Sequence, residues 1–247
     1  RDDGADTRRR ARVLARLAAA LTPSATPDEP LRLARAALAM TLNESDARTR
    51  IDVDVGVGAA LTDFAPPDER IPVNERLLRD ARAVGDRVLR LRALTRLACD
   101  YFERGDVAAV DAAIAARADL ADAIGHPRYQ WATPLMRSMR AMPDGRFDDC
   151  EAEIAEARRI AAEVSDPNAE RCIEFHRFSM LLAAGRTQDL VAQQAATLRV
   201  VDSLPDALWL PTLIMASVAS RLGDHQSAAR PLRALGAGAA VAARTAR

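Results

Sequence analysis

Residues 86–125 read DRVLRLRALTRLACDYFERGDVAAVDAAIAARADLADAIG, and the punctuation of this stretch decides the fold. Gly-Asp stands at Gly85-Asp86 and again at Gly105-Asp106, and Gly125-His126 closes the stretch. Between the marks the apolar residues recur at three and four: Leu91, Leu94, Leu97, Ala98, Tyr101 and Phe102, then Val107, Val110 and Ile114. That is the period of a helix with one buried face. Asp at a helix start accepts hydrogen bonds from the free amides of the first turn, and Gly reaches the left-handed conformation that ends the helix before it. The stretch therefore predicts two helices joined by a tight elbow.

Outward from this hairpin the same marks repeat. Ser45-Asp46, Gly85-Asp86, Gly125-His126, Ser165-Asp166 and Pro205-Asp206 follow one another at intervals of 40 residues, and Asp6 extends the series backwards. A second series runs halfway between: Ala65-Pro66, Gly105-Asp106, Gly145-Arg146 and Gly185-Arg186. Asp166-Pro167 and His126-Pro127 add the proline that a first helical turn tolerates. Six units result, 6–45, 46–85, 86–125, 126–165, 166–205 and a shortened 206–236. A lone hairpin cannot bury its apolar face, so neighbours must stack on one another. The expectation is an all-α protein, a single repeat domain over 1–236. Residues 237–247 lack large apolar anchors and are expected to form a flexible or loosely helical tail.

Composition bounds the function. Of 247 residues 49% are apolar, enough for a packed core, and 35 basic residues balance 35 acidic ones. The chain has no global field that would draw it to nucleic acid or an anionic membrane. All the basic residues are Arg and none is Lys, the mark of GC-rich bacterial coding. The cysteines, Cys99, Cys150 and Cys172, are odd in number and far apart, which predicts reduced thiols and a cytoplasmic setting. No run is long and apolar enough for a membrane helix or a signal peptide. The chain begins with Arg1, from which we expect a piece of a longer polypeptide.

The elbows carry a resemblance. Gly223-Asp224 with Ala228 five positions after Gly, Gly145-Arg146-Phe147 with Cys150, and Gly105-Asp106 with Val110 resemble the tetratricopeptide turn. Leu94, Leu97, Ala98 and Tyr101 match that family's first-helix pattern, as nearly do Leu14, Leu17, Ala18 and Leu21, whereas Arg137 and Arg177 stand at its Leu position. The resemblance implies a right-handed α-α superhelix of about six 40-residue hairpins. The unit is longer than the usual repeat, and with Trp131 early in a helix it resembles the helical arrays of large bacterial regulators. These are the maltose-regulator type of ATPase activator and related ATPase, cyclase or kinase fusions. In them the array binds an effector or another protein and restrains an output domain.

Several stretches suggest chemistry. Ile51-Asp52-Val53-Asp54-Val55-Gly56-Val57-Gly58 alternates like a strand and ends in Gly-x-Gly, the opening of a dinucleotide-binding turn. The third Gly is missing and both flanks obey the helical repeat. The preferred reading is a helix in which Gly56 and Gly58 mark the close approach of a neighbour. Phe147-Asp148-Asp149-Cys150-Glu151-Ala152-Glu153 carries paired carboxylates, but acids in a first turn already complement the helix dipole. Cys172 and His176 are spaced as two metal ligands on one face and lack two more, so we expect neither metal nor cofactor. Neither a nucleophile elbow nor a phosphate-binding loop appears, and no enzymatic activity is expected. Arg137 and Arg177, one unit apart, with Glu174 beside the latter, read as an ion-pair ladder between hairpins or as recognition of an acidic effector.

In tetratricopeptide arrays the first helices line the concave surface. That resemblance selects Thr95, Cys99, Phe102, Leu135, Met139, Met142, Phe175, Ser179 and Leu182, an apolar row whose Met side chains suit adaptable binding. The same residues read equally as core. Three functions stay open: a protein-interaction and regulatory module taking a protein or peptide partner, or a neighbouring domain, in an open groove; a small-effector sensor with a closed pocket near Trp131, Phe175, Arg137 and Arg177; and a helical enzyme.

Overall fold

The structure, a computed structural model, describes residues 3–22, 28–62, 64–193, 210–229 and 233. The helices are α1 (Asp3–Ala20), α2 (Asp28–Met40), α3 (Ala47–Leu61), α4 (Pro67–Ala83), α5 (Arg87–Arg104), α6 (Val107–Ile124), α7 (Pro127–Gln130), α8 (Ala132–Ala141), α9 (Phe147–Ala161) and α10 (Pro167–Ala183). After them come α11, described over 187–193, and α12 (Leu210–Arg221). The tail 237–247 and the Pro205-Asp206 mark lie outside the described residues. No strand occurs among the described residues, and Ile51 to Gly58 lie within α3. The chain is an all-α superhelical array.

The elbows are built by local chemistry. Asp46 accepts from the amide of Thr49 at 2.9 Å, Asp86 from Leu89 at 2.9 Å, Asp106 from Ala109 at 3.1 Å and Asp166 from Asn168 at 3.0 Å. His126 does the same through Nδ1, 3.1 Å from the Arg128 amide. After α4, α5, α6, the 3₁₀ turn that follows α8, α10 and α12, respectively, Gly85, Gly105, Gly125, Gly145, Gly185 and Gly223 hold positive φ. Gly105 shows why: its left-handed turn lets the Asp106 amide reach back to the Tyr101 carbonyl at 2.9 Å. The same bond recurs from Asp86 to Ala81, Arg186 to Leu181 and Asp224 to Ala219. Five positions after the elbow glycine, Val110, Cys150, Leu190 and Ala228 are all buried between helices.

Two boundaries differ from expectation. Asp6 marks no helix start, because α1 already runs from Asp3. The first helix of the fourth hairpin is broken into α7 and α8, with Trp131 between them. Pro134 explains the break: it has no amide to donate to the carbonyl of Gln130, the residue at which α7 stops. Leu17 on α1 and Leu21 just after it, which nearly match the family's first-helix pattern, are exposed.

The interior is a chain of local clusters. One joins α1 to α4 through Ala11, Ala15, Leu33, Val57 and Leu61. Another joins α8 to α12 through Trp131, Leu135, Ile154, Phe178, Leu190 and Val218, and smaller ones bridge α3 to α8. Gly56 is the closest approach, since a Cβ built there would lie 2.6 Å from the Ala15 carbonyl oxygen. The predicted approach is therefore real at Gly56, whereas Gly58 meets only the Asn74 Oδ1 at 3.4 Å.

Arginines stitch hairpin to hairpin. Arg12 pairs with Asp52 at 3.1 Å, Arg35 with Glu69 at 2.8 Å, Arg70 with Asp100 at 2.8 Å, Arg140 with Asp111 at 3.0 Å and Arg186 with Glu151 at 2.7 Å. Within the second hairpin the fully buried Asp54 takes a bidentate bond from Arg76, yet burial still pushes its carboxyl above the usual range. A ladder thus exists, but Arg137 and Arg177 are not its rungs: Glu174 pairs with Arg158 at 2.6 Å instead. The exposed pairs among these, such as Arg12–Asp52 and Arg186–Glu151, contribute about 0–1 kcal/mol each.

Candidate functional site

α5, α8 and α10 open three successive hairpins, and the 40-residue interval puts equivalent residues in register along one face. Phe102 on α5, Met139 and Met142 at the end of α8, and Phe175 and Ser179 on α10 border one open groove of ≈ 520 Å³. Spacings of three and four within α8 and α10 bring each pair to the same side of its helix. Pro143, His176 and Ala183 complete the walls. Met142 and Phe175 rest partly on the α8–α12 cluster, so the groove floor is continuous with the core.

Cys172 and His176 share one face of α10 as their spacing implies; the His176 Nδ1 lies 3.1 Å from the Cys172 carbonyl oxygen, and the ring forms groove wall. Burial holds the imidazole below its ordinary value, against hydrogen bonds to the backbone of Cys172 and Leu135. Among the described residues no group of three or more His, Cys, Asp or Glu could hold a metal ion, and no helix is long and apolar enough to cross a membrane. Asp148 and Asp149 lie in the first turn of α9, where Asp149 pairs with Arg146 at 2.7 Å.

The other expected residues scatter. Thr95 is half-buried, giving its hydroxyl proton to the Leu91 carbonyl and accepting from Arg117 at 3.0 Å. Cys99 is exposed, yet the helices around it exclude enough water to push its thiol upward. Leu182 packs partly on the core. Leu135 and Trp131 are core residues, 2% and 6% exposed, and belong to no groove. Their side of α8 is covered by α9 and α10. Arg137 turns away from Met139 into a separate charged cleft of ≈ 700 Å³ with Arg140, Asp111, Arg146, Asp149 and Glu153. Two positions along a helix is more than half a turn, so the two side chains leave opposite flanks. Arg177 is half-buried and lines neither cavity. The closed pocket imagined around Trp131, Phe175, Arg137 and Arg177 is not assembled.

Pro143, His176 and Ala183 were missed as groove residues. The signal for His176 and Ala183 was available, because they neighbour Phe175 and Leu182 on α10. Pro143 had none, since the short 3₁₀ turn Met142–Asp144 that presents it follows from no periodic pattern.

No protein-family model matches the chain, and no curated protein sequence matches it. Among solved structures, the crystal structure of a Rap protein complexed with competence and sporulation factor superposes with a TM-score of 0.66 at 16% sequence identity. The match covers 96% of this chain, which spans 66% of that one's length. At that identity the likeness is one of fold, and it supports a tetratricopeptide-like helical array.

Proposed function

We propose that the array is a protein-interaction and regulatory module that takes a peptide segment of a partner in the groove of Phe102, Met139, Met142, Phe175 and Ser179. One observation carries the reading: half-buried apolar side chains from three successive hairpins converge on a single open groove. Aromatic and Met side chains in such a groove suit an adaptable apolar contact. The solved Rap protein of the same fold is complexed with competence and sporulation factor, which is consistent with a partner-binding role. By resemblance to the arrays of bacterial regulators, the chain serves as the sensing arm of a larger cytoplasmic signalling or transcription-regulatory protein, and occupancy of the groove alters a neighbouring output domain.

The test is selection of binding peptides from a random displayed library on the intact chain, followed by anisotropy titration. Phe175→Ala should weaken the selected peptides by at least about fivefold, the cost of a buried aromatic anchor of roughly 1 kcal/mol or more. Its melting curve should show the fold retained. Peptides that bind Phe175→Ala and Met139→Glu as they bind the parent chain would place the contact elsewhere and end this reading.

A further inference from the structure

The first-helix face continues past the apolar groove toward α1. There a second cleft of ≈ 480 Å³ opens between α1, α3 and α5, and its charged lining is Arg12, Arg16, Arg48, Asp52 and Arg92. Arg96 follows Arg92 by one turn of α5. The chain as a whole is balanced, 35 basic against 35 acidic residues, and several of its arginines pair with carboxylates across helices. At this cleft unpaired arginines gather instead. Among the described residues Arg16, Arg48, Arg92 and Arg96 have no carboxylate within ion-pair distance. The acids nearby are already taken: Asp52 by Arg12 at 3.1 Å, Asp46 by Thr49 and Arg12, Asp100 by Arg70 and Asn74, each at 2.8 Å, and Glu103 by Arg70. Asp100 feels Arg96 only at longer range. Desolvation by burial, with repulsion from Arg96 one turn away added to it, holds the Arg92 guanidinium below its ordinary value. Holding like charges together with no internal partner is a cost that an anionic occupant would remove.

The same helix joins the two clefts. From Arg92 to Phe102 is ten positions along α5, about 15 Å at the helical rise. An extended peptide covers that length with about four or five residues. Resting on the peptide-binding reading above, we propose that the partner segment is bipartite: apolar residues fill the groove at Phe102, Met139 and Phe175, and acidic residues four or five positions away lie over Arg92, Arg96, Arg48 and Arg16. The apolar half gives affinity, and the acidic half sets direction and register along the array. A nucleic acid would also answer the arginines, but it has no use for the apolar groove beside them.

The intact chain is titrated by fluorescence anisotropy with matched eight-residue peptides. Each joins an apolar half (Leu-Phe-Met-Leu) to a half that is acidic (Asp-Glu-Asp-Glu), amide (Asn-Gln-Asn-Gln) or basic (Arg-Arg-Arg-Arg), in both chain orders. One order of the acidic peptide should bind roughly tenfold tighter than its amide counterpart at low salt, and the advantage should shrink as salt shortens the reach of exposed charges to about 10 Å and below. On Arg92→Gln/Arg96→Gln the acidic and amide peptides should bind alike, whereas Phe175→Ala should weaken both. Equal binding of the acidic and amide peptides to the parent chain, with both still weakened by Phe175→Ala, overturns the bipartite assignment and leaves the groove reading standing. Absence of any Phe175-dependent binding overturns both. Displacement of the acidic peptide by an equal concentration of single-stranded oligonucleotide would mean that the arginines serve nucleic acid, and would also overturn it.

Discussion

Gly56 is the residue on which the packing of α1 against α3 turns. A methyl group there would press on the Ala15 backbone at 2.6 Å, and backbone yields little. Gly56→Ala should therefore cost about 1–3 kcal/mol, the usual price of overpacking. Gly58→Ala, two residues on in the same helix, meets only a side-chain oxygen at 3.4 Å and should gain up to about 1 kcal/mol of helix propensity. Denaturant titration of the two variants checks the opposite signs. His176 supplies a second prediction at this scale. Its folded value is held below the ordinary 6.5 by burial, so the neutral ring's contribution to stability is complete above pH 6.5 and is lost as pH falls through the lowered value. The melting temperature of His176→Gln should fall less than that of the parent chain over the mildly acidic range just below 6.5.

At the scale of the element, each helix is fixed by its two ends. Asp106 joins α5 to α6: its carboxylate accepts from the Ala109 amide and pairs with Arg104 at 2.9 Å, and these contacts hold it below the usual carboxylate value of 3.8. Asp46 is lowered in the same way, chiefly by the Thr49 hydroxyl and amide. A lowered carboxyl stabilises the fold above its unfolded value and stops doing so as pH falls through the folded one. Asp106→Ala should thus melt earlier than the parent chain at neutral pH, and the gap should close below 3.8; scanning calorimetry across that range decides it. These elbows were legible in the sequence because a cap involves residues within about five positions of one another. The break between α7 and α8 was legible in principle too, since Pro134 announces it, but the 40-residue period smoothed it over.

For the whole molecule, stability resides in interfaces between neighbours, since the core is a series of clusters with arginine rungs between them. Leu61 is fully buried in the α1–α4 cluster, and Leu61→Ala should cost about 2–5 kcal/mol there. In a repeat array such a loss falls mainly on the nearest units. Amide exchange should rise across α1 to α4 well before it rises across α8 to α10, and uniform acceleration along the chain would show one cooperative unit instead. The candidate groove was half legible at this scale. Phe102, Met139, Met142, Phe175 and Ser179 converge as the 40-residue register implied, while Trp131 and Leu135 went to the core and Arg137 to another flank. An amphipathic pattern says that one side of α8 is covered but not which neighbours cover it. By itself the sequence determined the helical class, the spacing of the elbows and most of the helix limits among the described residues, because propensity and capping act over a single turn. Only the tertiary structure decided which apolar side chains remain uncovered and which arginines find a carboxylate, because both depend on residues some 30 positions apart, such as Arg70 and Asp100, being brought together by the stacking.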